Sequence, residues 1–455
     1  MPDSTPDEVA AACAAAGRAA PELADLDRFP LSERARLLTT IADNLDAYAA
    51  DLVTLAAEET GLAPDRLRAE LARTTGQARL FAEVAASGAF LDVTVDGPVS
   101  RMNEPIGPVA VYAAGNFPFA ISVAGGDTVA ALAAGCPVVL KSHPGHPRTS
   151  RGTADLVADA LSGAPSGTFA VVSGFEAGRA LVTDPAIRAA AFTGSTRGGR
   201  ALFDLACARP DPIPFYGELG SVNPVVVTRA AVRERGAEIA AGLVAAISTN
   251  AGQLCTKPGV VFLPGGHGLD GAIGREAAKV EPHRMLTPAI ADAFTADATA
   301  LSLRLTTLYG TPPAGDPRPV VFTVPAGEVP DDLWEEHFGP AAVIVEYGTE
   351  EDLFGVLDTM PGTLTAAVHA EDEDDPLVRR VMSLLRRRAG RIVTNGWPPG
   401  VAIGPATHHG GPWPATTAPL HTSMGTAAIR RFLVPVAYQD TPSRLLPPPL
   451  REERP

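Results

Sequence analysis

From Gly107 onward short β-forming runs alternate with helix-forming stretches, and no other feature of the chain restricts its fold so tightly. The apolar runs at residues 109–112, 137–141, 169–172 and 189–193 are separated by helix-like stretches at 121–134 and from 149, 176 and 197. Strands joined through helices pair in parallel by right-handed crossovers, which places helices on both faces of one sheet. The expectation is a doubly wound domain. Ligands of such sheets bind beyond the carboxyl ends of the strands, where Asn116, Lys141, Ser173-Gly174 and Gly194-Ser195 fall.

Upstream, Leu37, Ile41, Leu45, Tyr48, Leu52 and Leu55 recur at steps of three or four, predicting one amphipathic helix that Gly61 terminates. A second helix is expected over residues 64–81, and residues 89–102 read as a short β hairpin arm. Beyond Gly220 another alternating unit opens with a strand at 225–227 and a helix whose Ile239, Leu243 and Ile247 share a face. Residues 264–327, rich in Gly, Pro and Ala, show little period. Strands follow at 343–347, 390–395 and 431–438, with a helix at 377–388. The Pro-rich tail at 447–455 is expected not to form a packed element.

Composition narrows the function classes. With 455 residues, 46% of them hydrophobic, the chain supports two or three domains and a large core. Its net charge of −15 comes with dispersed Lys and Arg, which argues against nucleic acid or an anionic membrane as partner. The amino-terminal residues lack a basic stretch followed by an apolar one, and no run reaches the length of a membrane span. Cys13, Cys136, Cys207 and Cys255 have no paired spacing, which points to a reducing cytoplasm, and Cys136 and Cys207 read as buried filler. Because the histidines lack metal-ligand spacing, no metal is expected.

One cysteine and one glutamate stand out, both among glycines: Asn250-Ala251-Gly252-Gln253-Leu254-Cys255-Thr256 and Phe215-Tyr216-Gly217-Glu218-Leu219-Gly220. An isolated cysteine is more often a small buried hydrophobe. Here the pairing suggests a thiol nucleophile with a carboxylate base, and hence acyl transfer through a thioester.

In chain order, Asn116-Phe117-Pro118, Lys141, Phe192-Thr193-Gly194-Ser195, Glu218-Leu219-Gly220, Gly252-Gln253-Leu254-Cys255 and Glu336-His337-Phe338-Gly339-Pro340 resemble the aldehyde dehydrogenase superfamily across nearly the whole chain. Other motifs are similar to its α-ketoglutaric semialdehyde (2,5-dioxovalerate) dehydrogenase branch. These are Arg73-Thr74-Thr75-Gly76-Gln77, Ser122-Val123-Ala124-Gly125-Gly126-Asp127-Thr128, Asn395-Gly396-Trp397-Pro398, His409-Gly410-Gly411-Pro412-Trp413-Pro414 and Ser423-Met424-Gly425-Thr426. The resemblance implies an α/β, aldehyde dehydrogenase-like fold. A doubly wound NAD(P)-binding domain would comprise residues 1–88 and 103–220, and an α/β catalytic domain residues 221–422. Residues 89–102 and 423–455 would form a small β oligomerisation arm and the C-terminal tail.

For the chemistry, the resemblance implies that Cys255 adds to the aldehyde carbon while the Asn116 amide and the Cys255 backbone N–H hold the oxyanion. After hydride transfer, Glu218 would activate the water that hydrolyses the thioester. For the dinucleotide it implies Lys141 on the adenosine ribose, Glu336 on the nicotinamide ribose, and Gly194 and Ser195 at the pyrophosphate. Ser142, His143, Gly174, Arg179, Leu219 and Phe338 are the further cofactor-binding candidates. Phe117 and Trp413 are candidates to line the substrate site, and Arg73 with Gln77 to anchor a substrate carboxylate.

Three departures qualify this pattern. NADP-using members of the branch commonly carry an Arg after the glycine corresponding to Gly174, but Phe175 stands here, leaving Arg179 one turn later. The cofactor is expected to be NADP or NAD, with NADP favoured by the branch. Lys257, two residues past the nucleophile, either points inward and lowers the thiol pKa or is solvated. The arm between Phe90 and Met102 and the stretch between Cys255 and Glu336 are shorter than the family pattern, which bears on assembly and substrate selection. The expected partners are a small aldehyde and further copies of the chain, as a homodimer or homotetramer.

The leading expectation is oxidation of 2,5-dioxopentanoate to 2-oxoglutarate. The alternatives are a broad fatty or aromatic aldehyde dehydrogenase, an acyl-CoA-forming enzyme, and a catalytically idle relative kept as a binding protein. Glu218 favours hydrolysis over release to CoA, and the joint presence of Cys255, Glu218, Asn116, Lys141 and Glu336 argues against idleness.

Overall fold

The computed structural model describes residues 2–312 and 315–452. The chain divides into two compact units. One runs to Glu218 and takes in Ile403–Thr407 and the chain from Leu420; the other comprises Leu219–Ala402 and His408–Pro419. In chain order the strands are Thr94–Asp96 (β1), Val99–Pro105 (β2), Val109–Tyr112 (β3), Val138–Lys141 (β4), Phe169–Val172 (β5), Ala189–Thr193 (β6) and Phe215–Glu218 (β7), then Val225–Val227 (β8) and Val260–Pro264 (β9). Thr306–Tyr309 (β10), Val320–Pro325 (β11), Ala341–Tyr347 (β12), Thr363–His369 (β13), Ala389–Thr394 (β14) and Leu433–Gln439 (β15) complete the set.

In the first unit the sheet β5-β4-β3-β6-β7 is parallel throughout, as the crossover pattern requires. Ala110, Tyr112, Val139 and Ala190 pack on one face against the helices Pro6–Ala24 and Phe175–Thr183, through Cys13, Ala16 and Leu181. The helix Gly126–Ala134 is buried along its whole length. It begins later than the residue pattern suggests, because Gly125 is extended at φ −74° and ψ −178°. A Cβ on Gly125 would lie 2.7 Å from the Ala120 carbonyl oxygen, so the chain makes its tight turn there.

The single helix expected before Gly61 is two, Leu31–Ala47 and Ala49–Thr60, broken at Tyr48. The apolar period runs through the break unaltered, so the pattern conceals it. Gly61, at φ +71°, closes the second helix as expected. The next helix extends over Pro64–Ser87, six residues past the expected end at Phe81. The antiparallel sheet β1-β2-β15 turns its hairpin at Gly97, φ +55°.

Two further expectations are corrected in this unit. The Pro-rich tail does pack: its Leu450, with Leu446 just before the tail, is buried against Leu91 and Met102, and Pro448–Glu452 is helical. Two leucines among the prolines suffice to anchor it, while residues 453–455 lie outside the described residues. Cys207, expected as buried filler, is exposed at the end of the helix Thr196–Cys207, whereas Cys136 is buried.

The second unit holds a seven-stranded sheet, β10-β11-β12-β9-β8-β13-β14, parallel except for β10 against β11. Ile239, Leu243 and Ile247 of the helix Arg229–Ser248 pack on Val225, Val261 and Ile344, while Phe262, Phe294 and Phe322 fill the other core. Residues 264–327, weakly periodic in the sequence, contribute the helices Asp270–Ala277 and Pro288–Ser302 as well as β10 and β11. Among the described residues no helix is long and apolar enough to cross a membrane.

Candidate active site

Cys255 sits on a loop whose backbone is set by its neighbours. After the helix Arg229–Ser248 three successive residues are left-handed: Asn250 at φ +54°, Ala251 at +53° and Gly252 at +68°. For Ala251 this conformation is strained and persists only where surrounding structure over-determines it. Gly252 must be glycine on a second count, since a Cβ there would lie 2.2 Å from the Gly339 carbonyl oxygen. That close approach brings the Glu336-His337-Phe338-Gly339 segment against the nucleophile loop. Gln253, buried, spans from the Asn250 carbonyl, to which Nε2 donates at 2.9 Å, to Leu286 N, which donates to Oε1 at 2.9 Å.

The loop is pinned beneath by Asn223, fully buried and itself at φ +57°. Its Nδ2 donates to the carbonyls of Cys255 at 2.7 Å and Lys257 at 2.9 Å. Its Oδ1 accepts from Ser221 Oγ at 2.7 Å and from Thr365 N on β13 at 3.2 Å. One buried amide thus ties the nucleophile loop to β13, the strand beside the edge strand β14.

Cys255 is half-buried, with Sγ 3.6 Å from Nε2 of the buried His409. Sequence reading placed His409 only within a branch motif. The signal for its approach lies in the neighbouring glycines: a Cβ on Gly390 would lie 1.9 Å from Gly410 O, and one on Gly411 2.3 Å from Thr363 O. Lys257 points inward, which excludes the solvated alternative. It is buried, donates from Nζ to Ala341 O at 2.7 Å, and is pushed down to about 8 by burial, against the opposing pull of Glu336. Glu336 and Phe338 are half-buried. Arg391 on β14 donates to Gly400 O at 2.7 Å and Pro398 O at 2.5 Å; burial lowers its pKa, and Cys255 acts in the opposite direction. Trp413 is largely exposed, and Leu219 N donates to Ala415 O at 2.8 Å.

The remaining predicted residues belong to the first unit, in two groups. In one, Asn116 and Phe117 follow β3 on a turn fixed by Arg66 and Glu70, neither singled out by the sequence. Arg66 donates to Asn116 O at 2.9 Å, covers the Phe117 ring at 4.9 Å and pairs with Glu70 at 2.6 Å. The buried Glu70 accepts from the Phe119 and Ala120 N–H groups at 2.8 and 2.9 Å. Glu218, buried at the end of β7, accepts from Ser423 Oγ at 2.5 Å. Ser423 O in turn accepts from Arg431 at 3.3 Å, and Arg431 forms a buried pair with Asp127 at 2.7 Å. Gln77, Asp127, Thr193, Glu218, Ser423 and Met424 line one small cleft, and Arg73 lies beside it with Nη2 3.3 Å from Met424 Sδ.

The second group gathers at the carboxyl ends of β4, β5 and β6. Lys141 ends β4 half-buried; burial lowers its ammonium pKa and Asp3 opposes that shift. Ser142 is buried, with its hydroxyl donating to Val172 O at 3.3 Å. Burial pushes His143 down to about 3, with the charges of His146 and Lys141 adding to the effect, so it is neutral; its ring lies 2.5 Å from where a Cβ on Gly115 would be. Gly174, at φ +105°, opens the helix Phe175–Thr183, and Gly194 and Ser195 precede the helix Thr196–Cys207, where Ser195 Oγ accepts from Gly198 N at 3.2 Å. Phe175 is exposed, and Arg179 leans toward Glu176 at 3.9 Å. An ammonium and two glycine-led helix starts, all at the carboxyl ends of one parallel sheet, are a donor set that fits a dinucleotide.

The profile of the Aldehyde dehydrogenase family matches residues 1–281. Alpha-ketoglutaric semialdehyde dehydrogenase 2 of Azospirillum brasilense is 42% identical over 94% of this chain and 86% of its own length. The Alpha-ketoglutaric semialdehyde dehydrogenase of Acinetobacter baylyi is 40% identical over 93% of this chain and 85% of its own. Among solved structures, a C291A mutant of aldehyde dehydrogenase C from Pseudomonas syringae, complexed with NAD+ and octanal, superposes with a TM-score of 0.83 at 25% identity, covering 97% of this chain and 90% of that one. By sequence and by fold the chain belongs to the aldehyde dehydrogenase family, as an NAD(P)-dependent oxidoreductase.

Proposed function

We propose that this enzyme oxidises 2,5-dioxopentanoate to 2-oxoglutarate through a thioester on Cys255. The observation that carries the substrate is the 42% and 40% identity, over more than nine-tenths of the chain, to two α-ketoglutaric semialdehyde dehydrogenases. The Cys255 thiolate adds to the aldehyde carbon, and the oxyanion is held by the Cys255 backbone N–H and the Asn116 amide. Bound NAD(P)+ would supply the acceptor for the hydride that this carbon loses. The thioester then reacts with a water whose proton goes to Glu218, which releases the carboxylate and restores the thiol. His409, 3.6 Å from the sulfur, orients the thiol before the reaction.

Lys141, Gly174, Gly194 and Ser195 hold the adenosine and pyrophosphate part of the dinucleotide, and Glu336 the nicotinamide ribose. Gln77 and Arg73, at the cleft that Glu218 lines, are the proposed anchors for the substrate carboxylate. We further infer a cytoplasmic homo-oligomer, in which β15, an edge of its three-stranded sheet, pairs with another copy. Initial rates with 2,5-dioxopentanoate, succinic semialdehyde, hexanal and benzaldehyde test the substrate. The expected result is a preference for the oxo-acid that disappears in Cys255→Ala. Turnover of the unfunctionalised aldehydes alone would discard the substrate and keep the family.

A further inference from the structure

The amino-terminal residues run across the end of β5, on the edge of the sheet that carries Lys141. Ser4 N donates to Ser173 O at 2.8 Å, Ser173 N donates back to Ser4 Oγ at 3.1 Å, and Ser173 Oγ donates to the Pro2 carbonyl. This strap sets the exposed Asp3 on Gly174, where a Cβ would lie 2.8 Å from Asp3 Cγ. Only glycine meets both requirements at position 174, the φ of +105° and the room for that carboxylate. On the neighbouring strand Lys141 pairs in register with Val172, immediately before Ser173, and its ammonium feels the Asp3 charge.

The other groups nearby do not restore positive charge. His143 is neutral, as shown above, and Phe175 brings none. Arg179 lies a turn into the helix, with its side chain 55% exposed and directed toward Glu176. A ribose 2′-hydroxyl can donate a hydrogen bond to a carboxylate at this position and accept one from Lys141. A 2′-phosphate, carrying up to two negative charges, would instead meet Asp3 as a like charge.

We propose that Asp3, carried by the strap of residues 2–4, is a specificity-determining residue that selects a ribose 2′-hydroxyl over a 2′-phosphate and makes this enzyme prefer NAD to NADP. The proposal rests on the reading that the Lys141 end of the sheet receives the adenosine ribose. It reverses the cofactor that the branch resemblance favours, because the acid comes from a segment remote in sequence from the dinucleotide motifs.

The test is equilibrium binding of NADH and NADPH to the full chain, followed by nucleotide fluorescence, for the wild type, Asp3→Asn and Lys141→Ala. The wild type is expected to bind NADH more tightly. Asp3→Asn should strengthen NADPH binding by about tenfold and change NADH binding by less than about threefold, the size expected for one charge pair near a surface. Lys141→Ala should weaken both. Equal gains for both nucleotides in Asp3→Asn would make the strap a simple cover and overturn the proposal, as would wild-type NADPH binding as tight as that of NADH. Selectivity for NADH with no response to Lys141→Ala would instead show that the ribose lies elsewhere, overturning the underlying site assignment as well.

Discussion

Around Cys255 the chain is held from inside, whereas around Gly174 it is held from the surface. Asn223 is fully buried and fixes the nucleophile loop through the carbonyls on either side of Thr256. Asp3 is exposed and is set in place by a strap of three residues. The difference follows from what each place must do. A nucleophile displaced by an ångström loses much of its rate, so its loop is over-determined by buried polar contacts and left-handed backbone. Discrimination between a hydroxyl and a phosphate needs only a charge of the right sign nearby, which an exposed side chain supplies.

This contrast predicts unequal responses to substitution. The largest should come from Asn223→Ala, which leaves the Cys255 and Lys257 carbonyls without their shared donor in a buried site. We expect a stability loss of about 2–4 kcal/mol and a fall in kcat at saturating cofactor. Thermal melts and steady-state rates check both, and an unchanged kcat in a folded variant would show that the loop does not depend on this anchor.

A smaller and pH-dependent effect is expected at Lys257. Burial pushes its ammonium down to about 8 in the folded chain, below its ordinary value of about 10.4. Between those values the unfolded chain binds the extra proton and the folded chain does not, so wild-type stability rises with pH across that window and the burial cost is fully present below it. Lys257→Met removes this dependence. Its melting temperature should exceed that of the wild type at pH 7, with the difference narrowing toward pH 10. A constant difference across the range would mean that Lys257 is not burdened by burial.

Much of the fold was legible because strand placement depends on local pattern. The runs at 109–112, 169–172, 189–193 and 225–227 became β3, β5, β6 and β8 with the expected bounds. Features without a periodic signature were not legible. The break at Tyr48 leaves the apolar spacing intact, and Leu446 and Leu450 are too few to outweigh the prolines around them. In the candidate site, the strand-end residues Lys141 and Gly174 could be read from position along the chain. Asn223, His409, Ser423 and Asp3 could not, because each acts through a partner far away in sequence. Close backbone approaches at Gly252, Gly390 and Gly411 were the nearest available signal, since a glycine run marks crowding without naming what crowds it.

The most direct test of the account uses Glu218→Gln, mixed rapidly with NAD+ and 2,5-dioxopentanoate, with NADH followed in the first turnover and the quenched protein examined by mass spectrometry. The expected result is a burst of about one NADH per active site, slow turnover afterwards, and an acyl adduct of the substrate on the peptide containing Cys255. Steady NADH production at the wild-type rate, or a burst with no adduct on Cys255, would contradict it.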